Sequence, residues 1–297
     1  MFTGTYTAIV TPFKNGQIDG TALEHLIKSQ IKGGVDGIVP VGTTGESPTV
    51  NYEEHVGVIG LAVKFARGKV KVLAGSGANS TSEAIYLTQA AEKLGADGSL
   101  QVAPYYNKPT QEGLFQHFRE IAGKTKLPIV LYSIPSRCGV EIAVDTVMRL
   151  AAACQNIVGI KEAGGSCDRV SQLRTALGPK FKILSGDDSL TLPFMALGAC
   201  GVVSVASNVA PREVSQLVKA LAAGESAKAL RLNEKLGPLF KDLFIETNPV
   251  PVKAALAMMG MIEENYRLPL VRITAANRDR LAKVVEELGL LQTAGKA

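Results

Sequence analysis

Cysteine is scarce in this sequence. The four cysteines of the 297-residue chain form no C-x-x-C pair and match no zinc-binding spacing; they are Cys138, Cys154, Cys167 and Cys200. The first residues, MFTGTYTAIVTPF, also lack the charged stretch and following apolar stretch of a secretory signal peptide. These two absences predict a cytoplasmic protein whose thiols are reduced and whose fold needs no disulfide.

Long apolar runs and blocks of like charge are missing as well. No apolar run reaches the roughly 18 residues that a membrane span requires, so we expect a soluble protein. The 32 basic and 27 acidic residues are spread along the chain and give a net charge of +5. Without a basic block or arm, nucleic acid is not an expected partner. The 46% of hydrophobic residues suits one large globular domain.

Short apolar runs rich in β-branched residues recur along the chain. They predict eight strands, at Thr5–Val10, Gly37–Val41, Val70–Ala74, Gly98–Val102, Pro128–Ser133, Ile157–Lys161, Phe181–Ser185 and Gly201–Val205. Amphipathic stretches between the runs predict helices. Eight βα units predict an α/β fold, a closed (β/α)8 TIM barrel. An open doubly wound sheet is the alternative, but the turn after the first strand, TPFKNGQ, lacks the dinucleotide-binding fingerprint.

The regular spacing ends after the eighth unit. Three further helices are predicted at Glu225–Glu246, Val250–Ile262 and Thr274–Leu291, with no strand between them. We therefore divide the chain into a catalytic barrel over residues 1–224 and a C-terminal helical segment over residues 225–297. The first of these helices is apolar on one side, which fits packing on the barrel wall or a contact between subunits.

The active site of such a barrel lies at the carboxyl ends of the strands. Lys161 ends the sixth predicted strand, whereas Lys71 and Lys182 lie at the opposite ends of theirs. Because burial penalises a charged amine, a lysine in the barrel mouth has a lowered pKa and can attack a carbonyl substrate to form a Schiff base. The alternative is a structural lysine that pairs with Glu162 or Asp187.

Polar side chains in neighbouring loops suit a Schiff-base cycle. Tyr132, at the end of the fifth strand, can pass protons to and from an imine, and Thr43 offers a hydroxyl for the same relay. Thr44 and adjacent backbone N–H groups can hold a small carboxylate. Arg137 has the planar fork that grips a carboxylate. Taken one at a time, each of these residues also fits packing, capping or a surface ion pair.

The sequence favours neither a metal nor an organic cofactor. His25, His55 and His117 fall in or next to helical stretches and form no evident ligand cluster. No G-x-x-x-x-G-K-[ST] motif is present. The loop after the seventh strand, where many barrels bind phosphate, contains Asp187 and Asp188. We therefore expect no cofactor, no metal and no phosphorylated substrate.

Five motifs occur in an order and spacing that resemble the dihydrodipicolinate synthase family. They are GTTGES (42–47), PYYNKPTQEG (104–113), YSIPSRCG (132–139), VGIKEAGG (158–165) and LSGDD (184–188). The resemblance extends from MFTG through NPVPVK to the C-terminal helices. Lys161 and Tyr132 are shared by the wider superfamily of pyruvate aldolases, which includes N-acetylneuraminate lyase, whereas Arg137 and the first two motifs are more particular to the synthases.

The resemblance implies a class I aldolase-type condensation of pyruvate with L-aspartate-4-semialdehyde, a step of diaminopimelate and lysine biosynthesis. It implies that Lys161 forms the imine with pyruvate, and that Tyr132, Thr43 and Tyr106 form the proton relay. Tyr106 would reach across from a neighbouring subunit. The expected assembly is a homotetramer built as a dimer of dimers.

The resemblance also assigns the groups that hold the substrates. Thr44 and nearby amides would bind the carboxylate of pyruvate, and Arg137 would receive the carboxylate of the semialdehyde. The backbone carbonyls of Gly186 and Val203 would line the pocket.

Some members of this family are inhibited by lysine, and the positions that match their lysine site are Ser47, His55, Asn79, Glu83 and Tyr105. Two departures bear on this expectation. Pro48 stands where a small alanine is usual, and Tyr52 stands where a histidine is usual. Pro48 also removes a backbone donor.

Three further departures lie near the active site. Ser133 replaces a usual Asn, Cys138 a usual Thr, and Gly164 a usual Thr. They leave open another Schiff-base pyruvate aldolase or lyase of the same superfamily as the alternative function. A non-catalytic homologue would be expected to lack Lys161 or Tyr132, and both are present.

Overall fold

Eight parallel strands close into a barrel in the computed structural model, which describes residues 2–291. The barrel strands are β1 (Gly4–Ala8), β2 (Gly37–Val39), β3 (Lys71–Gly75), β4 (Gly98–Val102), β5 (Ile129–Ser133), β6 (Ile157–Glu162), β7 (Lys182–Ser185) and β8 (Gly201–Ser204). Each strand pairs with its neighbours in chain order, and β1 pairs with both β2 and β8 to close the ring. The predicted TIM barrel and all eight predicted strands are confirmed.

Helices follow the strands and cover the outside of the barrel. They are α1 (Gly20–Gly33), α2 (Tyr52–Ala66), α3 (Thr81–Lys93), α4 (Gln111–Ala122), α5 (Pro135–Cys138), α6 (Val144–Ala153), α7 (Cys167–Leu177), α8 (Thr191–Ala196) and α9 (Pro211–Ala222). The ends of α1 and α2 carry capping residues that can be recognised in the sequence. The Asp19 carboxylate caps the start of α1, Asn51 and Glu54 form a reciprocal capping box on α2, and Gly34 ends α1 in the left-handed conformation.

Aromatic rings fill the barrel at the amino ends of its strands. Phe2 and Tyr6 pack edge to face, with ring centroids 5.9 Å apart, and both are essentially fully buried. Gly37 and Gly98 give them room, because a Cβ atom would lie 2.1 Å from the Tyr6 ring at the first position and 2.4 Å from the Phe2 ring at the second. These rings therefore fill the interior of the barrel at the amino ends of the strands.

Three helices follow the barrel: α10 (Ser226–Asp242), α11 (Val250–Met258) and α12 (Ala275–Glu287). They confirm the three predicted C-terminal helices, although each is a few residues shorter than predicted. α10 packs against α9 and α12, and α11 packs against α12. Residues 292–297 lie outside the described residues. The division into a barrel over 1–224 and a helical segment over 225–297 stays a prediction.

A short antiparallel hairpin, in which Phe13–Lys14 pairs with Gln17–Ile18, was not predicted from the sequence. Strands of two residues are too short for an alternating pattern to be seen. Among the helices of residues 2–291, none is both long enough and apolar enough to cross a membrane.

Candidate active site

A cavity opens at the carboxyl ends of the strands and has two adjoining chambers. The outer chamber, of about 190 Å³, reaches Ser47, Pro48, Tyr105 and Cys138. The inner chamber, of about 50 Å³, reaches Thr44, Lys161, Gly186, Asp187 and Asn248. Thr43, Tyr132 and Arg137 line both. Most residues predicted for catalysis and substrate binding thus meet in one place.

Lys161 lies beside Tyr132 because β5 and β6 pair in register at these two residues. The Lys161 amine is 3.9 Å from the centre of the Tyr132 ring, and the residue is 7% exposed. Burial lowers the pKa of Lys161 to about 8, although Asp187 and Asp188 raise it. At that pKa about one amine in ten is uncharged at pH 7, far more than for an ordinary lysine.

The carboxylates near Lys161 leave its amine free of a direct ion pair within the described part of the chain. Glu162 turns to the other face of β6, where its carboxylate lies 2.8 Å from Nε of Arg169. Asp187 lines the inner chamber and acts on Lys161 through its charge. The alternative of a structural lysine paired with Glu162 is therefore not supported.

The two acids of the β7 loop have different environments. Asp188 is buried, and its carboxylate accepts hydrogen bonds from the Ser204 hydroxyl and from the backbone N–H groups of Val205 and Ala206. Asp187 is half-buried and faces the cavity. Asp188 therefore ties this loop to the loop after β8, and Asp187 supplies the negative charge in the chamber.

The Tyr132 phenol is suited to donating a proton. It is 5% exposed, and burial, together with the charge of Asp187, raises its pKa above the ordinary range. Arg137 and a side-chain interaction with Thr43 act in the opposite direction. The phenol therefore keeps its proton at neutral pH, with the Thr43 hydroxyl as its neighbour.

The C-terminal segment contributes a residue that the sequence analysis missed. Asn248 is buried, and its side-chain N–H donates to the Thr44 hydroxyl at 3.1 Å. Its backbone carbonyl accepts a hydrogen bond from Arg137, also at 3.1 Å. Asn248 thus links the two residues predicted to bind carboxylates. It opens the NPVPVK motif, but nothing along the chain places that motif beside Thr44.

The remaining predicted substrate and relay residues are placed differently. Gly186 lines the inner chamber. The side chain of Val203 is fully buried in the barrel interior, and Val205, two residues further along, lines the inner chamber. Tyr106 is 91% exposed and has a positive φ of 73°, a conformation unusual for a bulky residue. Its ring does not reach the chambers of this chain.

The residues that match a lysine site lie at or near the outer chamber, except Glu83, which lines a separate surface pocket with Tyr52 and Tyr86. Ser47 and Tyr105 line the outer chamber, and the His55 ring lies 2.7 Å from the carbonyl of Gly75 in its wall. The Asn79 side chain donates to the Tyr105 carbonyl. Burial raises the pKa of Tyr105, and the nearby charge of Glu83 raises it further, while burial lowers the pKa of His55.

The two departures at this site change its surface. Pro48 lines the outer chamber. Tyr52 is half exposed and packs its ring 5.8 Å from that of Tyr86. An aromatic pair therefore stands where the resemblance leads one to expect a histidine.

The three departures near the active site serve local contacts. The Ser133 hydroxyl accepts a hydrogen bond from the N–H of Ile142. The Cys138 thiol donates to a backbone carbonyl at 3.1 Å, and burial raises its pKa to about 11, so it is not a reactive thiolate at neutral pH. At Gly164 a Cβ atom would lie 2.7 Å from the Glu162 carboxylate.

The three histidines lie on three separate helices, His25 on α1, His55 on α2 and His117 on α4. Burial lowers the pKa of His117 to about 4.

Comparison with known proteins agrees with this geometry. The model of the dihydrodipicolinate synthetase family matches residues 1–288. The chain belongs to this family. A curated relative from Aquifex aeolicus, named 4-hydroxy-tetrahydrodipicolinate synthase, is 52% identical over 290 residues, which are 98% of this chain and 99% of the relative. The family predicted from the five motifs is thereby confirmed.

Solved structures of the family superpose closely on the chain. The synthase from Methylacidiphilum fumariolicum SolV is 58% identical, with a TM-score of 0.96 over 97% of this chain and 96% of that one. A structure of the family enzyme from Acinetobacter baumannii, complexed with pyruvate, is 45% identical, with a TM-score of 0.96 over 98% of this chain and 100% of that one. Family membership therefore rests on both sequence and fold.

The lowered pKa of Lys161 predicts how its reactivity depends on pH. The fraction of uncharged amine rises with pH and is half complete near pH 8, so acetylation of Lys161 should follow that curve. The measurement is competitive labelling with acetic anhydride from pH 6 to 11, read by peptide mass spectrometry.

The matched variant is Asp187→Asn. Because Asp187 raises the pKa of Lys161, its removal should move the midpoint to lower pH. A midpoint near that of an ordinary lysine, about 10.4, would contradict the desolvation argument.

Proposed function

We propose that this chain condenses pyruvate with L-aspartate-4-semialdehyde, the activity of 4-hydroxy-tetrahydrodipicolinate synthase. One observation carries the proposal: a buried, unpaired amine with a pKa of about 8 lies against a protonated phenol, in a chain of this family. A pKa so close to neutrality combines a usable fraction of free amine with easy protonation of the imine.

Imine formation needs one nucleophile and several proton transfers. The lone pair of the Lys161 amine attacks the carbonyl carbon of pyruvate, and the carbonyl oxygen takes up a proton as the carbinolamine forms. That oxygen then takes up a second proton and leaves as water, and a protonated carbon–nitrogen double bond remains. The Tyr132 phenol is placed to give the first proton and to recover one from the amine, with Thr43 as its relay partner.

Charge in the inner chamber assists the next step. The imine is positively charged, and Asp187 faces it from the β7 loop. The Tyr132–Thr43 relay takes a methyl proton from the bound pyruvate, which converts the imine to an enamine. The terminal carbon of the enamine then attacks the aldehyde carbon of the second substrate, and the aldehyde oxygen takes up a proton from the relay and becomes a hydroxyl. The amine of that substrate then displaces Lys161 from the imine carbon and closes the ring, which returns the free lysine.

Each substrate has one carboxylate, and the cavity offers a different binding group for each of the two. Thr44, deep in the inner chamber and held by Asn248, is placed for the carboxylate of pyruvate. Arg137 lines both chambers and is exposed at its outer side, which suits the carboxylate of the second substrate as it enters. The carbonyls of Gly186 and Val203 are proposed to complete the pocket wall.

A second copy of the chain is proposed to complete the relay. Tyr106 is exposed and is held in a strained backbone conformation, so its ring projects away from its own barrel. In the proposed dimer it enters the cavity of the partner subunit as the third hydroxyl of the relay. Two such dimers form the proposed homotetramer.

The decisive test of this function is trapping of the imine. Incubation with pyruvate and sodium borohydride should attach the three-carbon adduct to Lys161, found by peptide mass mapping, and the same preparation should turn over aspartate semialdehyde. Lys161→Ala should do neither, because no other lysine occupies the chamber within residues 2–291.

The possible outcomes separate the candidate functions. An adduct on Lys161 without turnover would assign the chain to another Schiff-base pyruvate aldolase, which the departures at Ser133, Cys138 and Gly164 would then explain. The absence of any adduct in the parent protein would reject the catalytic proposal.

Arg137→Ala should weaken binding of the second substrate, the semialdehyde, more than binding of pyruvate. We expect the KM for the semialdehyde to rise by the equivalent of about 2 to 4 kcal/mol, because a charge-assisted contact is lost, and the KM for pyruvate to change much less. Steady-state kinetics with each substrate varied in turn measure both. Arg137→Lys keeps the charge and loses the planar fork, so its KM for the semialdehyde should lie between those of the parent protein and Arg137→Ala. Equal effects of Arg137→Ala on the two KM values would reject the assignment.

Regulation by lysine is proposed on the five residues that match the lysine site of the family. If Ser47, His55, Asn79, Glu83 and Tyr105 still form an effector site, millimolar lysine should lower the initial rate at fixed substrate concentrations. The control variant is Glu83→Gln, which should weaken the inhibition because it removes the charge that pairs with an ammonium group. A rate unchanged by lysine would show that Pro48 and Tyr52 have abolished the site.

A further inference from the structure

A buried ion pair lies directly behind the loop that carries Thr43 and Thr44. Lys253, on α11, and Glu46, in the GTTGES loop, both have fully buried side chains. The Lys253 amine lies 2.5 Å from one Glu46 carboxylate oxygen and donates to the Thr11 carbonyl at 3.1 Å. The Phe13 ring, 4.4 Å away, covers the amine.

We infer that Glu46 and Lys253 are a positioning pair that holds Thr43 and Thr44 in their substrate-binding orientation. The C-terminal segment thereby becomes part of the catalytic apparatus. The inference rests on the proposed function, because it concerns the hydroxyls that bind pyruvate and relay its protons.

The backbone of the loop explains why it needs an external anchor. Glu46 has a positive φ of 56°, a left-handed conformation that a glutamate adopts at a cost. Val41, at the other end of the loop, also has a positive φ, of 52°. Such conformations persist where surrounding contacts fix them. The Glu46 side chain, held on the outer side of the loop, is one such contact.

The hydrogen bonds inside the loop transmit that anchor to the threonines. The N–H of Glu46 donates to the carbonyl of Thr43, and the N–H groups of Gly45 and Ser47 both donate to the carbonyl of Gly42. A shift of Glu46 would therefore move the peptide groups on either side of Thr44. The second Glu46 oxygen accepts a hydrogen bond from the N–H of Arg267, so both of its oxygens are bound by the C-terminal segment.

A purely stabilising role explains this pair poorly. Removing two charges from water is costly, and apolar residues of similar size are often as stable as a buried ion pair in the same place. An ion pair, however, fixes the relative position of two elements through directional contacts. Glu46 and Lys253 are 207 residues apart, so this contact sets the loop against α11.

The test compares two matched substitutions in the C-terminal segment. Lys253→Met removes the inferred anchor, and Arg280→Met removes a different ion pair, between Arg280 on α12 and Asp242 on α10. Both variants lose one positive charge from an ion pair with a buried carboxylate. Each is measured by thermal unfolding, by kcat and both KM values, and by the pyruvate concentration that half-saturates borohydride trapping.

We expect Lys253→Met to raise the half-saturating pyruvate concentration and the KM for pyruvate by about tenfold or more, because small displacements of binding groups are costly. The KM for the semialdehyde should change less. Arg280→Met should lower the melting temperature and leave the kinetic constants at parent values.

A double variant separates positioning from general damage. Lys253→Met leaves the Glu46 charge buried and unpaired, so adding Glu46→Gln should recover stability without restoring the pyruvate KM. If Lys253→Met fails to fold, Glu46→Gln alone keeps the shape and still should raise the pyruvate KM.

Kinetic constants of Lys253→Met equal to those of Arg280→Met would overturn the inference. Loss of trapping in the parent protein would instead reject the proposed function, so the two failures can be told apart.

Discussion

Burial of one amine against an apolar barrel wall is the constraint on which this site depends. β6 places Lys161 where water is mostly excluded, and desolvation rather than a specific partner lowers its pKa to about 8. Among the residues that the structure describes, those around Lys161 leave its amine without a strong ion pair. Glu162, the adjacent residue, is turned away and pairs with Arg169, and the amine lies 3.9 Å from the centre of the Tyr132 ring. A strong ion pair on Lys161 would raise the pKa and remove the nucleophile.

Burial and hydrogen bonding also give the two adjacent acids of the β7 loop, Asp187 and Asp188, different environments. Asp188 has a full set of hydrogen-bond donors and holds two loops together, whereas Asp187 is left to face the cavity. The sequence presents them as an identical pair, and only the surrounding donors distinguish them. Burial raises the pKa of both carboxyl groups, yet the three hydrogen bonds to Asp188 favour its charged form.

Features that depend on local pattern could be predicted from the sequence. Apolar runs predicted all eight strands, and the position of Lys161 at a strand end predicted both its place in the barrel mouth and the direction of its pKa shift. Features that depend on distant contacts could not be predicted in this way. Asn248 reaches Thr44 across 204 residues, and Lys253 is one of several lysines in helices until the fold buries it. Val205 ends the eighth predicted strand, but an apolar side chain there gives no signal of a pocket wall.

The contact between Glu46 and Lys253 also orders events during synthesis of the chain. A ribosome adds about 5 to 20 residues per second, so Lys253 follows Glu46 after about 10 to 40 s. Throughout that interval the nascent chain can form local helices and strand pairs, but the loop with Thr44 has neither of its C-terminal anchors. Lys253 and the N–H of Arg267, which hold the two Glu46 oxygens, both come late in the chain, so the loop with Thr43 and Thr44 gains these contacts only when synthesis is almost complete.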